Sequence, residues 1–140
     1  MRNIQILEMT INDYDETIEL WKNSPGIALS KADSKPKIAQ FIKHNPGLGF
    51  VARDGNKLVG AVLCGNDGRR GYLYHLAVAK DHQHLGIGKK LTEKVLTALQ
   101  AQGIEKCHIF VIADNLEGMR FWQKTGWKKR DDIFVMSKDL

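Results

Sequence analysis

The sequence has no long apolar run. Its longest stretch, residues 58–65, falls far short of the roughly 18 residues a membrane helix needs, so no membrane association is expected. Residues 1–10 alternate polar and apolar side chains without an apolar h-region, so no secretory signal is read. Cysteine is scarce: Cys64 and Cys107 each sit in an apolar segment, with no second Cys or His at metal spacing. They are read as free thiols in a reducing cytoplasm, and no metal is expected. No internal repeat and no linker rich in Pro, Gly or Ser divides the chain. Its 140 residues are therefore read as one domain. A charged tail is missing too. Residues 1–70 carry 10 basic and 8 acidic side chains and residues 71–140 carry 11 and 8, so the net +5 is spread evenly. Such a modest field suits an anionic small ligand. Without an aromatic–basic stripe, nucleic acid is not expected as a partner.

What is present suffices for a packed core. Hydrophobic residues make up 43% of the chain, which excludes a disordered polymer. A chain of this size buries about two-thirds of its surface on folding. Ile4 and Ile6 alternate in a first strand. Asn12 is placed to cap a helix in which Tyr14, Ile18 and Trp21 share a face, ending at Pro25-Gly26. Ser34 and Pro36 open a second short helix with Ile38, Phe41 and Ile42, closed by Pro46-Gly47. Residues 49–53 and 57–64 flank Asp54-Gly55-Asn56, a hairpin signal. Asp67-Gly68 marks another turn before a strand at 72–78.

The period then changes. Ile87, Leu91, Val95, Leu96 and Leu99 fall at helical spacing, with Gly103 as the stop. Residues 107–113 read as a short strand, 115–124 as a helix, and 127–129 with 133–137 as a terminal hairpin. The strand–helix–strand unit over 72–113 implies one parallel crossover in an otherwise antiparallel sheet. The expected class is α/β of the mixed α+β kind, with helices on both faces of the sheet.

The chemistry concentrates in Leu76-Ala77-Val78-Ala79-Lys80-Asp81-His82-Gln83-His84-Leu85-Gly86-Ile87-Gly88-Lys89-Lys90. A strand leads through a polar loop and two glycines into a long helix. Such a turn aims free backbone N–H groups at one point, where the helix dipole favours negative charge. A Walker A loop needs Gly at 83 and Ser or Thr at 90, where Gln83 and Lys90 stand. A dinucleotide fingerprint needs a third Gly at 91, where Leu91 stands. Both are excluded. The glycines alone fit a phosphate site or a turn that binds nothing.

The run Leu-Ala-Val, a loop, then Gln83-x-x-Gly86-x-Gly88 resembles the acyl-CoA motif of the GNAT superfamily of N-acetyltransferases. Val111-Ile112-Ala113-Asp114-Asn115, followed by Phe121-Trp122-x-x-x-Gly126-Trp127, is similar to that family's second signature. The order of elements matches over nearly the whole chain. The resemblance implies a GNAT fold: a mixed, mostly antiparallel sheet with a V-shaped splay between two parallel strands. It also implies acetyl-CoA as co-substrate and transfer of its acetyl group to a primary amine by direct attack in a ternary complex. The pantetheine would pair with the backbone of Leu76, Ala77 and Val78. Gln83 and the N–H groups of His84, Leu85, Gly86, Ile87, Gly88 and Lys89 would hold the pyrophosphate, and Asn115 would contact the pantetheine. The Val78 amide would face the acetyl carbonyl as an oxyanion donor.

The family often has Tyr where this chain has Trp122, and an indole N–H is not a useful acid. Trp122 would then wall the thioester pocket or pack as a core residue of its amphipathic helix. The departure also motivates a second reading, an idle acyl-CoA binding module. Candidate acids and bases lie on the preceding strand: Tyr74 first, then Tyr72 and His75. By strand alternation the two tyrosines share a face and His75 points to the other. His82 and His84 are read as exposed loop residues, His108 as a buried strand histidine. Lys31, Lys35, Lys37 and Lys43 suggest a basic acceptor cleft that would favour acidic amines. Dimerisation is left open.

Overall fold

The computed structural model describes residues 3–140, which fall into two compact units, one ending at Phe110 and one spanning residues 111–140. The larger unit is built on a five-stranded sheet in the order β1-β2-β3-β4-β5. Its strands are β1 (Ile4–Glu8), β2 (Phe50–Asp54), β3 (Lys57–Asn66), β4 (Gly71–Val78) and β5 (Cys107–Ile109). Successive strands from β1 to β4 pair antiparallel, and β5 joins β4 in parallel through the crossover helix α3 (Ile87–Ala101).

Both faces are covered, which explains why nearly every residue of β3 is buried rather than every second one. On one face lie α1 (Tyr14–Lys22) and α2 (Lys35–His44). They bring Trp21 and Ile38 against Met9, Val51, Leu63 and Ala77. On the other face α3 seats Ile87 and Leu91 where a Cβ on Gly60 would stand 3.3 and 3.0 Å away. Gly60 is what lets the helix approach the sheet that closely. Each fully buried Leu or Val in these layers contributes about 1.5–3 kcal/mol of hydrophobic stabilisation.

Three local expectations are corrected. The first helical segment is capped by Thr10, not Asn12. The Thr10 hydroxyl accepts from the Asn12 N–H (3.2 Å) and the Asp13 carboxylate accepts from the Thr10 N–H (2.8 Å), a reciprocal box that starts a 3-10 turn ahead of α1. β5 ends at Ile109 rather than 113. Its partner β4 is bulged just beyond the last paired residue, and a bulge bends a strand away from its neighbour. Residues 127–137 form no strand. In the smaller unit α4 (Leu116–Lys124) is capped by Asn115, and Trp122 packs edge-on against Phe121 and Trp127.

Candidate active site

β4 has two ends with different surroundings. Gly71, Tyr72 and Leu73 pair with Cys107, His108 and Ile109, after which the parallel ladder stops while β4 runs on to Val78. The sheet is therefore splayed beside residues 74–78. On the other edge, Ala79 donates its N–H to the Val59 carbonyl (2.8 Å). One residue earlier, Val78 must turn its N–H and C=O to the splayed edge. There the Val78 carbonyl accepts from Gln83 Nε2 at 3.2 Å.

The loop after β4 is tied down at its start. His82 is 5% exposed, not a solvated loop residue, because its two ring nitrogens meet Asp81 Oδ1 (2.7 Å) and Asp54 Oδ2 (2.8 Å). The imidazole thus latches the β2–β3 turn to the loop, and its hydrogen bond holds the Asp81 carboxyl below the usual carboxylate range. Beyond the latch, Gln83, His84, Leu85 and Gly86 are exposed. His84 (φ 65°) and Gly86 (φ 81°) are left-handed while Leu85 between them is not. That alternation turns successive N–H groups to one side, a shape that receives anions.

Helix α3 starts at Ile87, and Lys90 donates the first turn's bond to the Gly86 carbonyl (3.1 Å). The N–H groups of Ile87, Gly88 and Lys89 lie ahead of that bond and point out of the helix end. Ile87 is 2% exposed, so its side chain anchors the turn in the core while its backbone faces outward. The Lys89 and Lys90 side chains are exposed beside it.

The candidate acid–base residues are arranged differently from strand alternation. Between Ala61↔Ala77 and Leu63↔Tyr74 the register shifts, so His75 and Leu76 together oppose a single residue of β3. His75 occupies the left-handed region at φ 55°, strained for a side chain with a Cβ. The bulge swings its imidazole to the same face as Tyr74. His75 lies edge-on to Trp21 with ring centroids 4.9 Å apart, and its Nε2 meets Asp33 Oδ1 at 2.9 Å. Both partners are deeply covered, at 18% and 10% side-chain exposure. Asp33 is itself held by the Ser30 N–H (3.0 Å), and its carbonyl accepts from the Tyr14 hydroxyl (2.6 Å). Sequence reading missed Asp33, because nothing local marks a partner 42 residues away.

Tyr74 packs edge-on against Phe41 of α2, and burial pushes its phenol above the ordinary value. Tyr72 stacks on Phe110 and leans on His108, which is half-buried. A cleft of about 170 Å³ opens beside the two tyrosines, lined also by Phe41, Asn45, Gly65, Asn66 and Asp67. None of Lys31, Lys35, Lys37 or Lys43 lines it, and all four are exposed to solvent. The expected basic cleft is therefore not what lies beside these tyrosines.

In the smaller unit, Asn115 Oδ1 accepts from the Gly118 N–H at 3.0 Å. A Cβ on Gly118 would come within 2.4 Å of Asn115 Nδ2, so the glycine makes room for that cap. Among the described residues no group of three or more His, Cys, Asp or Glu converges, and no helix is long and apolar enough to cross a membrane. Cys64 and Cys107 are free thiols; the hydrogen bond with Cys107, and then burial, push the Cys64 thiol up.

A mixed sheet with one parallel pair that parts beyond Leu73 is the fold the resemblance implied. The family model described as "Acetyltransferase (GNAT) family" matches residues 13–127. The chain belongs to the GNAT acetyltransferase family. An acetyltransferase of Sodalis glossinidius is 29% identical over 129 residues, covering 92% of this chain and 90% of its own. One of Yersinia pseudotuberculosis is 30% identical over 124 residues, covering 89% and 87%. Among solved structures, the paia N-acetyltransferase from Thermoplasma acidophilum in complex with coenzyme A superposes with a TM-score of 0.81. It is 23% identical and covers 94% of this chain and 93% of its own. A GNAT acetyltransferase from Staphylococcus aureus gives 0.76 at 23% identity, covering 99% and 94%. The chain is an acetyltransferase of this family with a mixed α+β sheet.

Proposed function

We propose that this GNAT domain moves the acetyl group of acetyl-CoA to a primary amine by direct attack in a ternary complex. The observation that carries the reading is the splay of β4 from β5 beyond Leu73. It leaves Val78 with its N–H on an open edge, next to the outward amides of the following loop. In this reading the pyrophosphate rests on the N–H groups from His84 to Lys89, and the pantetheine extends β4 along Leu76, Ala77 and Val78. Gln83 positions the Val78 carbonyl, and the Val78 N–H receives the developing oxyanion. The neutral amine attacks the carbonyl carbon, the C–S bond breaks, and the attacking nitrogen gives its proton to water.

The departing thiolate takes its proton from the Tyr74 hydroxyl, and the phenolate left behind regains one from the water that accepted the amine's proton. Burial keeps that phenol protonated, which suits a donor and argues against a base. Tyr72 stands behind it on the same face. His75, already bound to Asp33, serves the shape of the bulge rather than the proton. For residues 111–140 the proposal carries over only the family's roles: Asn115 as a pantetheine ligand and Trp122 as an apolar residue without a transferable proton. The free state of both thiols supports a cytoplasmic setting.

Calorimetry with CoA, combined with thiol release from acetyl-CoA over a panel of primary amines, tests this. Micromolar binding and thiol release matched by acetylated amine are expected. Tight binding with no amine acetylated would instead establish the idle acyl-CoA binding module.

A further inference from the structure

Taking the acetyl-transfer reading as its basis, we infer that the cleft beside Tyr72 and Tyr74 binds the acceptor. The acceptor class is a compact primary amine with a second cationic group and no carboxylate. The walls carry the argument. Phe41, Tyr72 and Tyr74 line it with three aromatic rings, and aromatic walls favour cations. Gly65 forms the floor because a Cβ there would come within 3.0 Å of both Phe41 Cζ and Asn45 Nδ2. The two amides on the wall are already committed to the fold. Asn45 Oδ1 accepts from the Asn66 N–H (3.1 Å), and Asn66 Nδ2 donates to Gln102 Oε1 (3.0 Å).

Asp67 is the one charged residue of the lining. Its Oδ1 accepts the Arg70 and Arg69 N–H groups, both at 2.8 Å, and those bonds, with the Arg69 charge beside them, hold the carboxyl below the usual carboxylate range. The neighbouring Arg70 guanidinium donates to the Arg69 carbonyl and is not part of the wall. A cleft with aromatic faces, one carboxylate and no lining cation accepts an ammonium and repels a carboxylate. At about 170 Å³ the cleft has room for a compact cationic group. Tyr74, the proton donor of the proposed reaction, also lines this cleft, so the held cation and the reacting nitrogen belong to opposite ends of one short chain.

The test compares three amines of matched length: cadaverine, pentylamine (one charge fewer) and lysine (cadaverine plus a carboxylate). The wild-type kcat/KM for cadaverine should exceed that for lysine about tenfold and that for pentylamine about fivefold. Asp67→Asn keeps the Oδ1 that caps the turn and removes the charge, so the cadaverine-to-pentylamine ratio should fall to about one. Phe41→Leu, which keeps an apolar side chain without a ring face, should lower the same ratio two- to threefold. Lysine used as well as cadaverine, or a ratio unmoved by Asp67→Asn, overturns the inference while leaving acetyl transfer intact. If acetyl-CoA binds and no amine is acetylated, the transferase reading itself fails, and this inference with it.

Discussion

The two ends of β4 make their sites from different material. At the Val78 end the groups proposed to face CoA are main-chain amides, set by two left-handed residues, a splayed edge and a helix start. At the Tyr72 end they are side chains, drawn from α2, the β3–β4 turn and β4 itself. A main-chain site tolerates almost any side chain as long as the backbone keeps its conformation. A side-chain site changes its ligand with each substitution. This contrast fits an enzyme whose donor is common to its family and whose acceptor is its own.

The sharpest way to break the contrast is to strain the main-chain end. Gly86 has φ 81° with nothing within 4 Å of where a Cβ would stand, so the obstacle to Gly86→Val is conformational rather than steric. The β-branched side chain should weaken CoA binding about 100-fold by calorimetry. Gly86→Asn, which enters the left-handed region more readily, should lose much less. Equal losses would mean that the side chain, not the backbone, meets the ligand.

A smaller effect is expected at the bulge that joins the two ends. His75→Ala removes the partner of a deeply covered carboxylate and should cost about 2 kcal/mol of stability. Thermal denaturation should register a lower Tm, by roughly 4 °C for each kcal/mol at this chain size. With His75 in a structural role, kcat measured well below that Tm should change less than threefold. A kcat loss without a Tm loss would instead put His75 among the catalytic residues.

At the side-chain end, Tyr74→Phe should lower kcat about tenfold with CoA affinity unchanged. The sign of the pH effect follows from burial. The acid must be protonated, and its pKa is raised above the ordinary 10, so the rate should hold through that pH and fall only beyond it. That alkaline limb should vanish in Tyr74→Phe. The smallest expected effect concerns the lysines of the α1–α2 region. Being exposed and outside the cleft, Lys35→Ala and Lys37→Ala together should change kcat/KM for cadaverine less than twofold at physiological salt.

The residues most legible in the sequence were those whose function depends on local backbone. Gly86 and Gly88 after Leu76-Ala77-Val78 announce a strand, a turn and a helix start within thirteen positions, all governed by short-range sterics and capping. Helix faces such as Ile87, Leu91, Val95 and Leu99 were readable for the same reason, since period and burial are tied by helix geometry. The Asp54-Gly55-Asn56 turn followed from the left-handed φ of Gly55 at 61°. His82 was misread because both of its partners had to be known before its burial made sense, and Asp54 lies 28 residues away.

Only the tertiary structure decided the bulge at His75, and with it the side of the sheet on which that imidazole lies. A one-residue slip in the pairing with β3 reverses every side chain beyond it, and no local pattern records which residue will be the extra one. The Asp33 partner, the cleft wall of Phe41, Gly65 and Asp67, and the place where β5 leaves β4 are likewise products of long-range packing. The sequence by itself determined the strand–turn–helix that turns successive amides outward, because steric limits on φ and ψ act between neighbours. The charge and shape of the cleft beside Tyr72 and Tyr74 were decided by residues far apart in the chain, because they meet only when the helices close over the sheet.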